Sequence, residues 1–142
     1  MGDQTSTLLF FIAAVLIFAG ILFVIISMTK NSPKTLDQDK FRSRWLTIES
    51  GLKRDDHNSY TVCVFEADKL LDQALRDRGL AGKTMAERMK QCQGKWTNGN
   101  GVWAAHKLRN RLAHETDVKI DYERTKQALV AFKQGLKDIG AI

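Results

Sequence analysis

Only two cysteines, Cys63 and Cys92, occur among 142 residues. That is too few for the disulfide framework of a small secreted domain. Neither forms a CxxC pair or sits beside a histidine, which argues against a zinc site. Proline occurs once, at Pro33, so nothing after it interrupts a helix. No run of alternating β-branched residues suggests a strand. No P-loop, no GxGxxG and no clustered carboxylate set is present, so nucleotide triphosphate, dinucleotide and two-metal chemistries lack their usual residues. No cofactor and no metal are expected. No Lys or Arg precedes residue 30.

What is there begins with an uncharged run. Leu8 to Met28 reads LLFFIAAVLIFAGILFVIISM, 21 residues long. As a helix it would span ~32 Å, enough to cross a hydrocarbon core. It is too long for a signal-peptide core and lacks a basic leader, so an uncleaved anchor in a lipid bilayer is expected. Lys30, Lys34, Lys40, Arg42 and Arg44 follow closely. Positive residues stay cytoplasmic, which predicts a short extracytoplasmic tail over 1–7, a span over 8–28, a linker over 29–36 and a cytoplasmic domain over 37–142. All 22 basic residues but only 15 of the 16 acids lie after the span, leaving +7 on that part. Such a surplus attracts nucleic acid or acidic headgroups, and it also serves simply to fix topology.

The part after the anchor reads as helices throughout. Phe41, Trp45, Ile48 and Leu52 form one apolar stripe at helical spacing. Tyr60, Val64, Ala67, Leu71 and Leu75 form the next, closed by Gly79. Thr84-Met85-Ala86-Glu87 matches a capping box and opens a short helix with Met85 and Met89 inward. Gly94 to Gly101 reads as a glycine-rich loop. Val102, Ala105, Leu108 and Leu112 stripe a further helix; Leu129, Phe132, Leu136 and Ile139 stripe the last. The expected fold class is all-α: a single membrane helix followed by a bundle of four or five helices.

The chemistry concentrates in Arg109-Asn110-Arg111-Leu112-Ala113-His114. A guanidinium grips phosphate with a rigid fork of donors. An imidazole moves protons near neutrality. An amide orients the imidazole or holds a 2′-hydroxyl. At 100° per residue, His106, Asn110 and His114 share a face expected to be polar and exposed, while Arg109 lies ~40° from the centre of the core face. The plain alternative is a solvated helix end with Arg109 paired to an acid. Glu66 is the expected acid if it is partly buried; otherwise Glu66, Asp68 and Asp72 form a solvated acidic face. His106 is accessory to the site, and His57 reads as a loop residue. Lys95, Trp96, Lys107 and Arg111 are candidate nucleic-acid contacts. Trp96 either stacks a base or tucks back onto the bundle.

In its setting, with a short connection and a terminal amphipathic helix behind it, this segment resembles the R-N-x-x-x-H motif of HEPN domains, small helical modules that include metal-independent ribonucleases. The resemblance covers the motif helix and, by helix count, residues 40–142. It implies a symmetric homodimer with facing motifs, RNA as substrate, and Arg109, Asn110 and His114 as the catalytic set. Two features depart from it. HEPN toxins are usually soluble, and some members carry tyrosine two residues after the histidine, where this chain has Thr116. A non-catalytic, membrane-tethered dimerisation or binding module is the other reading.

The topology is directly testable. Protease added to intact cells should leave the domain after the span uncut; its digestion from outside would reverse the orientation.

Overall fold

A computed structural model describes residues 2–30 and 34–142, with side chains for 4–27 and 34–142. Met1 of the expected tail and residues 31–33 of the expected linker, Pro33 included, lie outside the described residues. Among the described residues every regular element is a helix. The chain divides into two compact units, the first containing α1 (Gly2–Lys30) and the second running from Lys34 to Ile142.

Helix α1 is longer than the uncharged run that predicts it, since it begins six residues earlier, at Gly2. Its Gln4–Ser27 stretch is long and apolar enough to cross a membrane. None of that segment is buried within the protein. Its large side chains are exposed, Phe10 and Phe23 at 74% each. Such a surface is costly in water, and a lipid core would remove the cost.

The second unit holds five helices: α2 (Gln38–Gly51), α3 (His57–Asp77), α4 (Met85–Gln91), α5 (Gly99–His114) and α6 (Tyr122–Asp138). Each begins on a side chain that accepts from an otherwise orphaned N–H. Asp37, Asp56, Thr84, Asn98 and Asp121 do this for α2 to α6 in turn. At Thr84 the capping box is modified. Thr84 Oγ1 accepts from Glu87 N at 3.2 Å, but the Glu87 carboxylate reaches back to Lys83 N at 2.6 Å instead of the cap residue. His57 is the first residue of α3 rather than a loop residue. Gly99, Asn100 and Gly101 are likewise the first turn of α5, not loop. A Cβ on Gly101 would stand 2.4 Å from Asn98 Nδ2, so a larger residue there would make the capping side chain shift.

Helix α3 is the centre of the unit and packs against α2, α4, α5 and α6. Val64, Ala67, Leu70, Leu71, Ala74 and Leu75 are fully buried along it. The predicted stripes of α2 and α5 enter the core through Phe41, Trp45, Val102, Ala105 and Leu108, while Ile48, Leu52 and Leu112 lie at its edge. The whole stripe of α6 is buried. Closest approach falls at Gly135, where an added Cβ would meet Val102 at 3.3 Å and Leu71 and Trp96 at 3.4 Å. Residues of α3, α5 and α6 therefore converge there, and α3 and α5 are held side by side.

Leu71 fills that junction with no solvent exposure. Leu71→Ala should destabilise the unit by about 2–5 kcal/mol, through lost transfer energy and the cavity left behind. Chemical denaturation measures this; a change below about 1 kcal/mol would mean that the packing around Leu71 is looser than described.

Candidate functional site

An acid on an apolar row creates the site. Asp68 lies four residues after Val64 and three before Leu71, on the buried side of α3, and is only 6% exposed. A buried carboxylate requires cations or donors, and α5 supplies them. His106 Nδ1 lies 2.7 Å from Asp68 Oδ1. Arg109 Nε lies 3.4 Å from Asp68 Oδ2. Arg109 Nη1 donates to Asn110 Oδ1 at 3.2 Å. Asn110 Nδ2 lies 3.3 Å from His106 Nε2. These contacts close a ring of four side chains. Residues 106, 109 and 110 meet because positions three and four apart share one side of a helix.

The environment stiffens the ring. The Arg109 guanidinium lies 4.9 Å from the centre of the Phe65 ring, a cation–π contact from α3. Trp103 meets the His106 ring edge-on, with centroids 6.4 Å apart. The ring opens onto a cleft of about 720 Å³ between α3, α4 and α5. One turn along α3 from Asp68, Asp72 accepts from Arg88 Nε at 2.9 Å and Nη2 at 2.6 Å, and it also pairs with Arg76. Arg88 Nη1 donates to the Gly82 carbonyl at 2.6 Å. Both acids on the cleft floor are thus matched by cations.

Several sequence expectations change here. His106 was expected on the exposed face; it is 9% exposed and paired with Asp68, because α3 lies over that side of α5. Asn110 was expected to project away from the core; it is half-buried, with both amide atoms engaged. Glu66 is not the partner of Arg109. Its side chain is 46% exposed, it pairs with Lys69 at 3.8 Å, and it only lines the same cleft. Nor are Asp68 and Asp72 a solvated face, since their side chains are 8% and 13% exposed. Trp96 tucks back onto the bundle: its Nε1 donates to the Met89 carbonyl at 3.2 Å and its ring lies under Gly135. Lys95, Lys107 and Arg111 are exposed, and Arg111 pairs with Glu115.

His114 stands apart. It is the last residue of α5 and is exposed, and no hydrogen bond or ion pair joins its side chain to another described residue. Five residues of helix carry it about 7.5 Å along the axis and ~140° around from Arg109. One copy therefore turns Arg109 and His114 to different sides. The sequence reasoning missed Asp68 as the partner of the motif, although its place on the Val64–Leu71 row was a visible signal.

The site offers anion recognition first. Arg109 is one-third exposed, and its Nη2 has no partner among the described residues, so that edge is free for an oxyanion. Metal and thiol chemistry find no comparable geometry. Among the described residues, no three or more His, Cys, Asp or Glu side chains gather to hold a metal ion. Burial pushes the Cys63 and Cys92 thiols above their usual range, which keeps them protonated and poorly nucleophilic.

Compared with known proteins, the chain matches no family model, no curated protein and no solved structure.

Proposed function

We propose that this chain is a membrane-anchored, HEPN-like helical domain that cuts RNA as a symmetric pair without a metal. The proposed orientation keeps the N-terminus outside and the domain in the cytoplasm, following the basic residues that flank α1 on one side. The observation that carries the reading is Arg109, fixed by a buried carboxylate at Nε and by Asn110 at Nη1, with Nη2 open to a phosphate. The exposed His114 supplies the proton chemistry, and a second copy supplies the second imidazole.

The reaction needs two proton transfers. One His114 takes the proton of the 2′-hydroxyl as its oxygen attacks the adjacent phosphorus. The P–O5′ bond breaks, and His114 of the second copy protonates the departing 5′ oxygen. The products are a 2′,3′-cyclic phosphate and a 5′-hydroxyl. Arg109 offsets the charge that develops on the phosphorane oxygens. A symmetric pair provides both acid and base from one motif.

One observation favours a second reading. Among the described residues lining the cleft the one imidazole, His106, is engaged at both nitrogens, so a single copy places no free imidazole beside Arg109. A domain that binds an anionic partner without chemistry would have this arrangement as well.

Detergent-solubilised full-length chain incubated with RNA separates the two. For the ribonuclease, His114→Ala should reduce cleavage at least about 100-fold, with unchanged helicity and melting temperature. Arg109→Ala should also abolish cleavage and lower stability by about 1–3 kcal/mol, because it removes a cation from buried Asp68. Chelators should have no effect. Intact RNA after long incubation with a verified dimer would move the assignment to the binding module.

A further inference from the structure

We infer that His106 is a positioning residue: its neutral, Nδ1-protonated imidazole closes the Asp68–His106–Asn110–Arg109 ring, and protonating it opens the ring and releases Asn110 and Arg109. The inference rests on the proposed function only for its effect on RNA; the ring itself stands on hydrogen-bond accounting.

The accounting runs around the four side chains. An ionised carboxylate only accepts, so Asp68 Oδ1 requires a hydrogen on His106 Nδ1 at 2.7 Å. A guanidinium only donates, so Arg109 Nη1 requires Asn110 to present Oδ1, at 3.2 Å. That fixes the amide, and Asn110 Nδ2 then points its hydrogens at His106 Nε2, 3.3 Å away. With the amide in that orientation Nε2 is the acceptor, and the imidazole carries its one proton on Nδ1. Every member has one acceptable role, set by its two neighbours.

A second proton on His106 breaks this. Nε2–H would face Asn110 Nδ2, donor against donor. Turning the amide to offer Oδ1 to His106 would set Nδ2 against Arg109 Nη1, again donor against donor. At least one bond is lost in either arrangement, and Asn110 can no longer hold both neighbours. The other charges around the imidazole do not supply an alternative acceptor. Asp68 of α3 is already bonded to Nδ1, and Arg109 is a cation. One turn along α3, Asp72 is occupied by Arg76 and by Arg88 of α4, and Glu66, which lines the same cleft, is paired with Lys69. His106 is also too buried for water to replace the lost partner freely. Neutral His106 is thus part of what orients the phosphate-binding edge of Arg109, without touching substrate.

Gln is the informative substitute, since it carries one donor and one acceptor and gains no proton on acidification. The test uses full-length chain in detergent micelles with ¹⁵N-labelled histidine. At pH 7.5, one of the three histidine signals should report a neutral Nδ1–H tautomer and should vanish in His106→Gln. An Nε2–H tautomer or an imidazolium at His106 would overturn the proposal outright. The second measurement is the pH profile of RNA cleavage. His106→Ala should lose about tenfold in kcat or more. His106→Gln should restore most of that loss and remove the acid-side fall attributable to this ring. Wild-type kcat and KM in a folded His106→Ala would overturn the positioning role, as would a folded His106→Gln that restores nothing. If the tautomer is found but wild type leaves RNA intact, the ring holds and the ribonuclease reading falls.

Discussion

A carboxylate buried on an apolar row of α3 sets the terms for this domain. Asp68 stands on the inward side of α3 at 6% exposure. Taking a charge out of water costs several kcal/mol unless donors and cations replace the solvent. The replacement comes entirely from α5, through His106 and Arg109. The contact therefore fixes more than the distance between two helices: the side chains must meet in one rotation and one register of α5. The motif's arginine and asparagine are presented to the cleft as a consequence of satisfying an acid on another helix.

The same constraint explains why the motif divides. Arg109 and Asn110 are drawn toward α3, whereas His114 lies beyond the packed turns at the end of α5. The segment is one motif in sequence but two environments in structure, one stiff and half-buried, the other exposed. A second copy is the simplest way to bring an imidazole to an arginine held in this manner. In the proposed pair, membrane tethering by α1 would confine copies to a surface and so raise their effective concentration.

Much of the fold was legible because apolar periodicity reports burial directly. Every residue of the α3 and α6 stripes is buried, although each buried face is wider than its stripe, and Thr84 marks the start of α4. Helix ends were less legible where glycine is itself the helix former: Gly99 and Gly101 read as loop, yet Asn98 caps them into α5. At the site, periodicity misled for a physical reason. A polar stripe on α5 was read as solvated because polar residues usually are, but a polar stripe can equally face a buried acid on a neighbouring helix. His106 and Asn110 turned out to do this. The matching signal was Asp68, a carboxylate in phase with Val64 and Leu71, and weighing it would have directed Arg109 to Asp68 instead of Glu66.

A double-mutant cycle between the two helices tests this account most directly. Asp68→Ala, Arg109→Ala and the double variant would be compared with wild type by chemical denaturation. If Asp68 is satisfied by α5 as described, the two changes are coupled by about 1–3 kcal/mol, and the double variant loses less stability than the two single losses combined. Additivity within about 0.5 kcal/mol would contradict it, since it would mean that the buried carboxylate and the arginine do not depend on each other.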